Sequence, residues 1–253
     1  MRIDRLYAFA SLMAVLGATP AFAQSTPEAM TPAQVAVACA QPPEFAMPRP
    51  ETMRVVGGQG TFGRRVFGER DLLVISGGTN AGLQLGQRFF LRRAIYSGPR
   101  SKNGHFPVRT AGWIRIVAAN ETTALASVDR TCGEILYDDY LDPFVEPVIP
   151  DGAERVDTTG ELDFDARGHV VFGQEFAISA APGNFMLIDS GSDAGVKPGA
   201  RFAIYRTVGA PGMPLEPVGE GVVISVGSAV ALMRINAVRD VVQAGDFVVP
   251  RKP

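Results

Sequence analysis

The sequence predicts an all-β protein: two tandem homologous small β-barrel domains that follow a signal peptide and a proline-rich N-terminal segment. Three observations predict it. The 253 residues include 28 glycines and 19 prolines, which favours short strands joined by turns. Apolar residues fall in short blocks rich in Val, Ile, Phe and Tyr, such as Leu72–Ile75, Arg88–Leu91, Trp113–Val117, Val222–Val226 and Ala231–Ile235. Gly, Pro, Asn or Asp lies at or near the ends of these blocks, and no window inside the repeats carries a helical stripe. The third observation is an internal repeat, too long in period for a solenoid.

Residues 72–93, LLVISGGTNAGLQLGQRFFLRR, align with residues 185–206, FMLIDSGSDAGVKPGARFAIYR, at a constant offset of 113. Gly78, Gly82, Gly86, Arg88, Phe89 and Arg93 match Gly191, Gly195, Gly199, Arg201, Phe202 and Arg206. Downstream, GWIRIVAANETTALASVDRT from Gly112 parallels GVVISVGSAVALMRINAVRD from Gly221, which sets Trp113 against Val222. Arg54-Val55-Val56-Gly57 and Gly168-His169-Val170-Val171 open the two units; DDYLDP at 138–143 and GDFVVP at 245–250 close them. The expected organisation is a signal peptide over 1–23, a proline-rich segment over 24–52, a first barrel over 53–148, a linker over 149–164 and a second barrel over 165–253. Closing each sheet into a barrel would hide its edges.

The repeated glycines have a mechanical explanation. Gly78 and Gly191 end a strand in a turn, Gly82 and Gly195 supply a positive φ, and Gly86 and Gly199 turn into the next strand. Leu83 and Val196 tuck inward between them. Asp139 and Asp246 each precede an aromatic near the last strand, where a carboxylate accepts from turn amides.

Upstream of the repeats, Arg2 and Arg5 precede an apolar run over Leu6–Gly17, and Ala21-Phe22-Ala23 forms a small-x-small cleavage signal. This is the three-part pattern of a secretory signal peptide, and its apolar run is short for a membrane span. The product is expected in the periplasm or outside the cell, with no integral span after cleavage. In that setting the two cysteines, Cys39 and Cys132, are expected to form a disulfide. Between the cleavage site and the first repeat, Thr31–Ala40 reads as one short helix with Thr31 as N-cap and Pro32 at its first position.

The pattern over Gly183–Pro250, and its fainter copy in the first repeat, resembles the C-terminal domain of the flagellar assembly protein FlgT. It also resembles segments of other bacterial envelope proteins. The first repeat departs from the pattern with Ser76 in place of Asp189 and Asp138 in place of Gly245. The resemblance implies a non-catalytic periplasmic β-domain that helps build envelope assemblies. Neither a flagellar role nor a peptidoglycan-binding repeat is carried over.

Composition narrows the function further. A formal charge of −2 gives no basic excess for nucleic acid. Two histidines and two cysteines leave little for a metal centre, and no cofactor is expected. Leu187-Ile188-Asp189-Ser190-Gly191 resembles the strand-turn element of aspartic proteases. That chemistry needs two carboxylates sharing a proton, and the matching position is Ser76, so only a dimer could supply the pair. His105 and His169 lack ligand spacing. The glycine-rich run over 56–63 lacks the ending of a phosphate loop. Arg92, Arg93, Arg109 and Arg115, with Trp113, form a candidate binding surface for an anionic glycan or an acidic partner. The leading expectation is an exported interaction or scaffold module of the envelope, with a protein or cell-wall polymer as partner. A peptidoglycan- or polysaccharide-binding module is the alternative, and a dimeric hydrolase using Asp189 is third.

Overall fold

The computed structural model of the chain describes residues 29–43, 48–49, 51–60, 63–96, 107–209 and 212–252. The signal-peptide pattern, His105, and Thr61 and Phe62 of the glycine-rich run lie outside the described residues.

Helix α1 (Pro32–Cys39) is the one α-helix among the described residues. Thr31 caps it as expected: its hydroxyl accepts from the Gln34 amide, and the Gln34 side chain accepts from the Thr31 amide. The first group of strands comprises β1 (Val55–Gly58), β2 (Val66–Phe67), β3 (Leu72–Ile75), β4 (Arg88–Ala94), β5 (Val108–Ala119), β6 (Ala124–Thr131), β7 (Ile135–Leu136) and β8 (Tyr140–Pro143). The second group comprises β9 (Glu161–Leu162), β10 (Gly168–Gly173), β11 (Ser179–Ala180), β12 (Phe185–Ile188), β13 (Arg201–Thr207), β14 (Leu215–Val226), β15 (Ala231–Val238), β16 (Val242–Gln243) and β17 (Phe247–Lys252). No helix of the described residues is long and apolar enough to cross a membrane.

Besides the two-stranded pairs β2-β7 and β11-β16, two large sheets result, and the chain is mostly β. The first has the order β1-β3-β6-β5-β4-β8, the second β10-β12-β15-β14-β13-β17 with β9 added at β17. Pairing of β10 with β17 closes the second into a six-strand barrel. The first stays a half-barrel whose edges meet at the bridge between Arg54 and Tyr140. A core of Leu73, Ile75, Leu91, Ile114 and Ile116 fills the first; Met186, Ile188, Phe202, Ile204 and Met233 fill the second.

The register revises two alignments made on sequence. Gly112 lies opposite Leu91 and Thr131, and Gly219 opposite Ile204 and Val238. Gly112 therefore corresponds to Gly219 rather than Gly221, and Trp113 to Glu220 rather than Val222. Each long strand carries β-bulges, and each bulge shifts the count of residues that a linear alignment keeps constant. Likewise Val55 pairs with Ile75 as Val170 pairs with Ile188, so Arg54 corresponds to His169.

The turns follow their glycines. Gly82 and Gly195 adopt φ values of 81° and 77°. Each ends a 3-10 turn, Thr79–Ala81 or Ser192–Ala194, that strand grammar did not reveal. Gly78 and Gly191 answer a different need: a Cβ on Gly191 would run into the carbonyls of Gly227 and Ser228.

Residues 149–164 are more than a linker. Ala153 is buried against Val222 and Ile224, and β9 lies inside this stretch. Helix α1 lies between the sheets. Ala38 packs with Phe90 and Trp113 of the first, while Ala40 packs with Phe172, Leu187 and Leu232 of the second. Cys39 at its end is bonded to Cys132.

Two stability outcomes follow. Gly195→Ala costs about 1–2 kcal/mol for the left-handed backbone alone, since open space surrounds its Cβ. Gly191→Ala costs more because backbone must move; equal urea midpoints for the two variants would contradict this. Replacing both cysteines by serine removes a cross-link between residues 93 apart. It should lower unfolding free energy by about 4–5 kcal/mol in the chain-entropy picture.

Candidate functional site

One polar arrangement occurs in both sheets. Arg93, on β4, donates from Nε and Nη2 to the two Asp139 oxygens at 2.7 and 2.8 Å, and the Leu136 amide donates to Asp139 at 2.8 Å. Arg206, on β13, makes the same fork with Asp246 at 2.7 and 2.8 Å, and the Gln243 amide donates at 2.7 Å. Both carboxylates are buried. Burial pushes the Asp139 carboxyl up, and the Arg93 fork and the Leu136 amide pull it back. Hydrogen bonding to Asp246 raises the Arg206 guanidinium. The expectation that these aspartates bond turn amides matches the geometry; their arginine partners were not foreseen.

The arginine group does not make one open basic surface. Arg92 is buried over the Phe90 ring and bonded to Thr110 and Asp142, and burial pulls its guanidinium down. Arg93 is committed to Asp139. Arg115 reaches Asp129 at 2.9 Å, and Arg109 crosses to Glu175 of the second group at 2.6 Å. Trp113 is buried beside Phe90 and Phe144, its ring 5.8 Å from that of Phe144. Alternation along a strand explains the scatter, because neighbours such as Arg92 and Arg93 point to opposite faces.

The concave site is elsewhere. A cleft of about 1010 Å³ opens at one end of the second barrel, between the stretch over 157–169, the turn over 189–201 and the end of β17. Asp189 directly follows β12, and its carboxylate meets the His169 ring nitrogen Nδ1 at 3.3 Å and accepts from the His169 amide. The His169 ring lies 5.0 Å from that of Phe247. The cations around the cleft fall into two groups. Arg201 holds Asp157 and the carbonyls of Gly152 and Arg155; Arg251 holds Glu220 at 2.8 Å; Lys252 holds Asp163 at 2.8 Å. Those bonds raise Arg251 and Lys252 and hold Asp163 below the usual carboxylate range. Arg167 and Lys197, both exposed, have no carboxylate partner among the described contacts.

The two units differ where the cleft lies. Gln84 corresponds to Lys197, Ser76 to Asp189, Arg54 to His169, and Val145 to Lys252. Arg54 pairs with Asp138 at 3.3 Å, whereas His169 pairs with Asp189 while Gly245 occupies the place of Asp138. The aromatic trio of Phe90, Trp113 and Phe144 corresponds to Ala203, Glu220 and Arg251, so an ion pair replaces a ring cluster. Substitutions within the repeat were the available signal for the cleft, and only correct register makes Lys197 and His169 stand out together. Among the described residues, no group of three His, Cys, Asp or Glu could hold a metal ion.

No protein-family model matches the chain, and no curated protein shows significant similarity to it.

Arg93→Leu should destabilise the fold by about 3–5 kcal/mol, because it leaves Asp139 buried without its counter-charge. The double variant R93L/D139L should recover part of that loss. Urea denaturation of the three proteins checks both, and a double variant as unstable as the sum of its single changes would contradict the account.

Proposed function

We propose that the chain is an exported, non-catalytic interaction module of the bacterial envelope, built from two tandem copies of one small β-barrel. Two sheets of equivalent strand order, each pinned by the same Arg-Asp fork, support the duplication. The disulfide is compatible with an oxidising compartment. The observation that carries the binding role is the divergence of the copies at the cleft. The frame is repeated, while Asp189, His169, Lys197 and Lys252 change the chemistry at one barrel mouth. A framework held constant and a concave surface altered is how a scaffold acquires a binding site. Asp189 serves this reading as the partner of His169 rather than as half of a catalytic dyad.

The test is mixing the purified chain over 24–253 with isolated cell-wall sacculi, alongside crosslinking in the periplasm. The expected result is protein left in the supernatant and a reproducible crosslink to one protein. Sedimentation with the sacculi would instead favour the wall-polymer reading. Its cause would be the same unpaired cations.

A further inference from the structure

We infer that the cleft at the mouth of the second barrel binds an acidic peptide segment of a protein partner, gripped by Lys197 and Arg167. This rests on the interaction-module reading and names the ligand chemistry of that site. The charge arrangement around the cleft motivates it. Arg201, Arg251 and Lys252 are already neutralised by Asp157, Glu220 and Asp163. Lys197 is exposed and unpaired among the described contacts. Among the described contacts, Arg167 touches the Phe164 carbonyl, at 3.5 Å, and the Phe247 ring face, at 5.4 Å. Five cations line this concave site, Arg167, Lys197, Arg201, Arg251 and Lys252, against three carboxylates, Asp157, Asp165 and Asp189, and the two cations without an ion pair among the described contacts define a place for further carboxylates. Lys197 replaces Gln84 of the first unit, so one of these charges is particular to the second.

The lining favours peptide over sugar. A sugar ring packs its face on an exposed aromatic ring, and the one phenyl ring in this lining, Phe202, is 1% exposed. Small residues, among them Ala194, Gly195 and Ala200, leave room for a backbone to run between the cations. The volume of about 1010 Å³ exceeds what a single small anion would fill and suits several residues of an extended segment.

The probe is a fluorescent oligo-glutamate, with oligogalacturonate as the carboxylated-sugar counterpart, titrated at low and at physiological salt. Wild-type protein should bind the glutamate oligomer, more weakly as salt rises. Lys197→Glu and Arg167→Glu should each weaken it by about tenfold or more at low salt. Arg65→Glu, an equal charge change on the first unit, should leave it within about twofold. Thermal unfolding of each variant confirms that the fold is kept. Equal loss in R65E, oligogalacturonate binding as tightly as oligo-glutamate, or no binding of oligo-glutamate at all would overturn the inference. Crosslinking separates this from the broader reading. A partner captured equally by wild type and K197E would sink the cleft assignment and leave the interaction module standing. If neither protein captures a partner, the module reading itself fails.

Discussion

The buried fork between an arginine and an aspartate is the constraint on which each sheet depends. Arg93 and Arg206 project from the strand beside the last one, and Asp139 and Asp246 precede that last strand. Each carboxylate also accepts an amide three residues back. One side chain therefore fixes the shape of a turn and the alignment of two strands. The net stabilisation of such a buried pair against an apolar substitute is small. Its geometry is demanding, because a planar fork meets both oxygens only in one register. A slip by one residue would turn every core side chain outward and also strand a buried charge. The pair selects one arrangement among several that the apolar pattern alone would tolerate.

Helix α1 does for the two sheets what the fork does within each. Eight residues with small and branched side chains fill the space between two outer faces. The disulfide holds it to the first sheet, the Thr110 hydroxyl donates to the Ala40 carbonyl, and Gln34 reaches the Pro147 carbonyl. Arg109 and Glu175 add a direct ion pair from the first group of strands to the second. Glu175 and Phe176 reach that contact with positive φ values of 55° and 63°, conformations costly for residues other than glycine. The surrounding packing, with Phe176 against Phe172, holds them there.

Much of the frame was legible because turns leave a mark in sequence. Glycines at 78, 82 and 86 and at 191, 195 and 199 announce where the backbone must bend. The cap at Thr31 announces where the helix begins. Pairing across strands leaves no comparable mark. Arg93 and Asp139 stand far apart in the chain, and alternation along β4 sets Arg92 and Arg93 on opposite faces. The arginines at 92, 93, 109 and 115 read as one cluster along the chain and separate in space for that reason. The cleft was hidden for a related cause. His169 is matched to Arg54, and Trp113 to Glu220, only once the bulges are counted. Residues 149–164 looked like a linker because their turn formers dominate, and the single buried Ala153 carries too little signal to show that the stretch packs.

The position of α1 also sets an order on assembly. A chain is made from its N-terminus, so this segment emerges before anything it packs against. Its Ala38 side acquires a seat once Phe90 and Trp113 are in place, and Cys39 can then meet Cys132. Its Ala40 side must wait for Leu187 and Leu232, almost two hundred residues later. Throughout that interval a half-covered apolar helix is fastened to a finished half-barrel. A chain cut short before β15 would keep that surface permanently bare, and so would present itself to chaperones and proteases as unfinished.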